Sequence, residues 1–218
     1  TDLPHMLPKQ KTWEKIMCSL GINNNDDILI YDNSDLRSSC RCWFSLLYFG
    51  HDEKKIHILN GGLKKWIFEN KPITKDATEI IESNYVANEK ENLVVSFDQI
   101  KKNILSKSFN VIDARSLERF EGKVSEPRKG LRSGHIQNSF CLPFNLCINQ
   151  KTGEFKNLEE LKELFNQHEN IEKSLDPVFT CGSGVTAAVL AYAYKMVNND
   201  YIPKIYDGSW SEYGKYPA

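Results

Sequence analysis

Short apolar runs separated by longer stretches of helical periodicity set the pattern of the chain. Residues 28–31, 56–59, 110–113, 178–180 and 204–206 are rich in Ile, Val and aromatic side chains and read as strands. Between them, apolar residues recur at three- and four-residue spacing over 12–20, 37–48, 63–69, 97–105, 158–168 and 185–197, which predicts helices. Ser96 and Asn157 stand just ahead of two of these helices and are suited to cap them, because their side-chain oxygens accept from the free N–H groups of a first turn. Strands this short and apolar, alternating with helices, predict an α/β fold in which mainly parallel sheets are flanked by helices.

From about Thr74 to Asn92 the chain turns polar and loses its period. That stretch, taken as residues 75–92, reads as a linker between a unit at 1–74 and a second at 93–218. The two units resemble each other. In the first, an apolar strand ends at Asp32, a polar loop and a helix follow, and a second strand runs into Asn60-Gly61-Gly62-Leu63. In the second, a strand ends at Cys181, Gly182-Ser183-Gly184 and a helix follow, and a second strand runs into Asp207-Gly208-Ser209-Trp210. Gly61 and Gly208 stand at nearly the same distance beyond Asp32 and Cys181, 29 and 27 residues. A duplicated unit explains this, with one difference that matters chemically: a cysteine holds the key position in only one copy. The first copy also has nothing that corresponds to Asn110–Asp113 and its following helix. An incomplete first domain is therefore expected, with sheet edge and apolar surface exposed and pairing with another chain left open.

Composition narrows the classes of partner. A formal net charge of -1, with 28 basic and 29 acidic residues dispersed over 218, gives no basic field for nucleic acid. No run approaches the roughly 20 apolar residues that cross a bilayer. Partners are expected to be small molecules or proteins, with neither nucleic acid nor membrane. The six cysteines, Cys18, Cys40, Cys42, Cys141, Cys147 and Cys181, show no C-x-x-C spacing and lie mostly within predicted elements. They predict reduced thiols, a cytoplasmic setting and no metal site.

One cysteine differs from the rest. At Cys181 a strand end, a Gly-Ser-Gly loop and a helix start coincide. Such a loop turns successive N–H groups toward the sulfur, and the helix aims the positive end of its dipole at the same point. That cradle favours a reactive thiolate over a buried apolar thiol. Arg119 and Arg128, nine residues apart, are on spacing alone surface arginines paired with Glu118, Glu121 or Glu126. Arg115, in Asp113-Ala114-Arg115 at a strand end, suggests a structural ion pair, and His135 a structural role.

These residues resemble the two-domain rhodanese family, and within it the 3-mercaptopyruvate sulfurtransferases. The active-site loop Cys181-Gly-Ser-Gly-Val-Thr-Ala187 matches in full. Further matches are Pro4-His-Met-Leu-Pro8, Asn60-Gly-Gly-Leu63, Asp113-Ala-Arg115, Arg119-Phe120, Glu126-Pro-Arg128, Gly130-Leu-Arg-Ser-Gly-His-Ile136 and Tyr206-Asp-Gly-Ser-Trp210. The family pattern has a further stretch before Pro4. The resemblance implies tandem rhodanese-like domains and no metal or organic cofactor. It implies transfer of sulfur from 3-mercaptopyruvate through a Cys181 persulfide to cyanide, a small thiol or a thioredoxin-like protein. It places Arg119 and Arg128 on the donor carboxylate, with Gly182, Gly184, Val185 and Thr186 lining the loop. Ser183 and His5 match two members of a serine–histidine–aspartate relay whose aspartate falls in the stretch before Pro4. Cysteine phosphatases share the fold but need an arginine where Ala187 stands. Thiosulfate is the alternative donor, although neutral Gly182 and Ser183 replace the basic residues that suit a dianion. A non-catalytic rhodanese binding module is the alternative of a different class.

Overall fold

The computed structural model describes residues 2–35, 37–167 and 175–216. Helix α1 (Gln10–Ser19) opens it, followed by β1 (Ile28–Ile30), α2 (Ser38–Tyr48), β2 (Ile56–Ile58) and α3 (Gly62–Phe68). Residues 71–90 form no helix or strand. Then come β3 (Val94–Val95), α4 (Phe97–Ser106), β4 (Asn110–Asp113), α5 (Leu117–Phe120), β5 (Ser139–Cys141) and α6 (Leu158–Asn166). The last elements are β6 (Pro177–Thr180), α7 (Val185–Val197), β7 (Ile205–Tyr206) and α8 (Ser209–Tyr213). Ser96 and Asn157 cap α4 and α6 in reciprocal boxes with Gln99 and Glu160. His168, the last residue of the helix expected at 158–168, lies outside the described residues. The periodicity did not reveal β3, α5, β5 and α8, because elements of two to five residues cover too few periods for a recurrence to stand out.

Strands β1 and β2 form a two-stranded parallel sheet, and the other five form a second sheet in the order β3-β7-β6-β4-β5, with every pairing parallel. β6 lies at the centre of the larger sheet with all four residues buried, which is why it reads as an unbroken apolar run. The internal duplication recurs in the hydrogen bonding. Leu63 N–H donates to the Asp32 carbonyl at 2.9 Å, and Trp210 N–H donates to the Cys181 carbonyl at 2.9 Å. The residue ahead of each donor turns left-handed, Gly62 at φ 61° and Ser209 at φ 50°.

The larger of two apolar cores runs through both halves, while the smaller, with Val95, Ile100, Val178 and Trp210, belongs to the second half alone. Trp43, Phe44 and Leu47 on α2 and Ala187, Ala188 and Ala191 on α7 belong to the same buried cluster, together with Met17, Leu142, Phe179 and Ile205. The alanines let α7 come close to α2, and each large side chain buried there contributes about 1.5–3 kcal/mol. The stretch at 71–90 also returns to this body. Tyr85 and Ala87 are buried, Ala87 N–H donates to Glu14 Oε1 at 3.0 Å, and Asn88 N–H donates to the Phe49 carbonyl at 2.9 Å. Its polar composition reads as a linker, and its bonds to the body of the molecule make the second part of that linker a strap. Among the described residues the outer edge of β1 has no partner strand. Leu29, Tyr31, Ile67, Phe68 and Ile73 remain exposed, so the expected apolar surface is present.

Candidate active site

Cys181 directly follows the central strand β6, the position where an open parallel sheet offers its ligand crevice. The loop behind it is held by its carbonyls. Cys181 C=O accepts from Trp210 N–H, and Gly182 C=O accepts from the N–H of Ser211 at 2.9 Å and its hydroxyl at 2.5 Å. With those carbonyls tied to α8, the course of the loop past the sulfur is fixed. Ser183 N–H donates to Cys181 Sγ at 3.5 Å. Gly184 caps α7 at φ 80°, a left-handed turn that glycine adopts without strain. Ser209 adopts the same region at a cost of about 1 kcal/mol or more. Its hydroxyl accounts for this: it accepts from Cys181 N–H at 3.2 Å and donates to the Tyr206 carbonyl at 2.9 Å. Ser209 is thus a supporting residue missed in the sequence, although it lies inside the matched stretch Tyr206–Trp210.

Two guanidinium groups border the loop. A Cβ placed on Gly182 would stand 3.0 Å from Arg119 Nη2, a tight contact, and 3.5 Å from Arg128 Nη1, an ordinary one, so both guanidinium groups lie close against the loop. Arg119 is also paired with the buried Glu126, through Nε to Oε1 at 3.1 Å and Nη2 to Oε2 at 2.6 Å. The ion pair anticipated from spacing and the approach to the loop therefore coexist. Glu126 in turn binds Arg115, which is fully buried and forked onto Asp113. Arg115 is the structural ion pair expected, stacked over Trp210 at 4.4 Å. His135 also has a structural setting, with its ring stacked on Phe120 and hydrogen-bonded to that residue's carbonyl. Arg128 Nη2 donates to Ser183 Oγ at 3.2 Å.

His5 comes to the same place from the other end of the chain. Its Nδ1 lies 2.8 Å from Ser183 Oγ. That oxygen accepts from Arg128 and has a proton of its own, which it can donate to Nδ1 of a neutral imidazole. Burial, then the charges of Arg128 and Arg41, hold the His5 pKa below its ordinary 6.5. Val185 and Thr186 form the half-buried first turn of α7, and Ala187, where a phosphatase needs its arginine, is fully buried behind them. All six cysteines are free. Burial pushes the thiols of Cys141 and Cys147 up to about 12, and it raises Cys40 as well. In the first half, the corresponding loop is occupied by Asp32, whose carboxylate accepts from Ser34 N–H at 3.1 Å and Ser39 N–H at 2.6 Å. Among the described residues no group of His, Cys, Asp and Glu is arranged to hold a metal ion, and no helix is long and apolar enough to cross a membrane.

The rhodanese-like domain family matches residues 3–69 and 96–216, and the chain belongs to the rhodanese family. It is 39% identical to thiosulfate/3-mercaptopyruvate sulfurtransferase 2 of Arabidopsis thaliana, across all of this chain and 68% of that protein. It is 35% identical to the 3-mercaptopyruvate sulfurtransferase of Escherichia coli K12, across 98% of this chain and 74% of that one. The crystal structure of SseA from Escherichia coli, described as a 3-mercaptopyruvate sulfotransferase, superposes with a TM-score of 0.84 at 33% identity, covering 97% of this chain and 77% of that one. With the fold and the cysteine loop, these relatives make the chain a sulfurtransferase, acting on a small sulfur donor and an acceptor.

Proposed function

We propose that the chain takes sulfur from 3-mercaptopyruvate onto Cys181 and passes it to a thiol, cyanide or a thioredoxin-like protein. The observation that carries this reading is the convergence on one loop of Cys181, two arginines and the Ser183–His5 pair. The Cys181 thiolate attacks the donor sulfur, the carbon–sulfur bond breaks, and its electron pair leaves on the carbon as pyruvate enolate. That carbon needs a proton, and the donor thiol has one to lose. Ser183 and neutral His5 supply the route, with His5 accepting through the Ser183 hydroxyl and returning the proton to the carbon. The products are a Cys181 persulfide and pyruvate, with no change in proton count. Arg128, and the outer face of Arg119, suit the donor's planar carboxylate.

Thiosulfate is the second reading, supported by the dual name of the Arabidopsis relative. Its transfer releases sulfite and moves no proton, so the relay has no work there. Neutral Gly182 and Ser183 favour the mercapto-acid. Six free thiols support a reducing, cytoplasmic setting.

Incubation with 3-mercaptopyruvate is expected to add one sulfur atom to Cys181, seen by intact mass, with release of one pyruvate. Cys181→Ser abolishes both, and Cys141→Ser leaves them unchanged. Absence of added sulfur on the unaltered protein would favour the binding-module reading instead. Arg128→Ala is expected to raise KM for 3-mercaptopyruvate by about tenfold or more, the loss of a charge-assisted bond worth roughly 1.5–3 kcal/mol, and to raise it less for thiosulfate. Equal changes for both donors would remove Arg128 from the carboxylate.

A further inference from the structure

We infer that Arg41, paired with Asp207, is a positioning residue for the relay: from α2 in the first half of the molecule it fixes His5 against Ser183 in the second. The Arg41–Asp207 ion pair measures 2.6 Å, with side-chain exposures of 11% and 4%. A pair this well buried pays a desolvation cost that an apolar pair would avoid, so stability alone does not account for it. Its remaining side-chain bonds go to the cysteine loop and to the segment that carries His5. Arg41 Nη2 also donates to the His5 carbonyl at 2.8 Å, and Nη1 donates to the carbonyl of Gly184, beside Ser183, at 3.4 Å. The second oxygen of Asp207 accepts from Leu7 N–H at 3.0 Å. The pair therefore grips the backbone on both sides of Met6, the carbonyl before it and the N–H after it.

His5 needs that grip. Its φ is 61°, a left-handed conformation that a residue other than glycine keeps only under outside constraint. Its ring is on the exposed side of the site, with Ser183 as its one side-chain partner among the described residues. Its register is thus imposed through the main chain. The charged groups around it are Arg41 from α2, Arg128 from the segment after α5, and Asp207 from the turn after β7. Arg41 has the geometry for the task, because one guanidinium reaches a carboxylate and two carbonyls at once. The spacing of Arg41 from Cys181 hid the role. In sequence it is a lone charge in the mainly apolar helix Ser38–Tyr48, and only the packing of α2 on α7 brings it to the loop.

This inference rests on the proton relay proposed above, so its test has one arm with turnover and one without. With 3-mercaptopyruvate, Arg41→Met is expected to lower kcat about 10- to 100-fold, the scale of a small misplacement of a reacting group, while KM changes little. Sulfur loading of Cys181 from thiosulfate, which moves no proton, persists in the same variant and shows that its loop is folded. Arg41→Lys recovers part of kcat, since an ammonium holds a carbonyl but cannot span all three acceptors. In the second arm, nitrogen-15 spectra follow the His5 imidazole. Ser183→Ala shifts its Nδ1 signal in the otherwise unaltered protein, and that response disappears when Arg41→Met is already present. A retained response would overturn the proposal, as would equal losses with both donors. If the unaltered protein does not turn over 3-mercaptopyruvate, the donor assignment falls, and the spectra still decide whether Arg41 places His5.

Discussion

At the scale of single residues, the site divides its work between groups that touch the reactants and groups that aim them. Cys181 and Ser183 were legible in the sequence because a strand end, a glycine-rich loop and a helix start lie within a few consecutive positions. His5 was legible only through resemblance, since 178 residues separate it from the hydroxyl it faces. Its lowered pKa gives a signed prediction. A histidine harder to protonate when folded stays neutral as pH falls past 6.5, so kcat for 3-mercaptopyruvate holds there and declines only at lower pH. The unfolded chain binds that proton first, so the same group withdraws stability as pH falls from 6.5 through the folded value. A pH profile run with both donors checks this. His5→Ala removes the acid limb for 3-mercaptopyruvate and leaves thiosulfate transfer unaltered. A thiosulfate profile that follows His5 equally would refute the relay.

At the scale of elements, the short connections carry the precision. Gly184 is the junction of loop and helix. A Cβ there would stand 3.1 Å from Asp207 Oδ1 and 3.2 Å from Arg41 Nη1, on a backbone at φ 80°. Gly184→Ala is expected to cost about 1–3 kcal/mol in stability, measured by denaturant unfolding, and to lower sulfur transfer by disturbing both sides of the cleft. The segment from Asp113 to Glu126 is the other device. One buried carboxylate, Glu126, binds both Arg115 and Arg119, so Glu126→Gln leaves buried positive charge uncompensated and is expected to cost about 3 kcal/mol. An unfolding midpoint unchanged from the parent protein would contradict that arrangement. Long elements and their caps were readable because period and N-cap chemistry are local. The arginine network was readable only as separate pairs, Arg115 in Asp113-Ala114-Arg115 and Arg119 with a neighbouring glutamate; that Glu126 joins the two was not, because several of the spacings involved belong to no regular period.

At the scale of the whole molecule, the sequence divides into two similar units, yet the core does not divide with them. α2 and α7 share one buried cluster, and the strap at Tyr85 and Ala87 joins the same body. Phe44→Ala, deep in the first half, is therefore expected to destabilise the molecule by about 3–5 kcal/mol. Unfolding followed by fluorescence of Trp43 and of Trp210 should still give coincident transitions. Separate midpoints would mean the halves unfold independently. The duplication was visible in the residue pattern because each copy repeats strand, loop and helix. The shared core was not, since helix-to-helix docking depends on which faces meet in space.

Asp32 gives the first half a different evolutionary position from the second. Its carboxylate fills the cradle that its counterpart keeps open for a reactant, so that half has the architecture of the site without its nucleophile. It is nevertheless no free passenger under selection. A library of variants screened only for sulfur transfer would purge substitutions at Trp43, Phe44 and Arg41 about as severely as those on α7, while the residues lining the occupied first-half cradle drift.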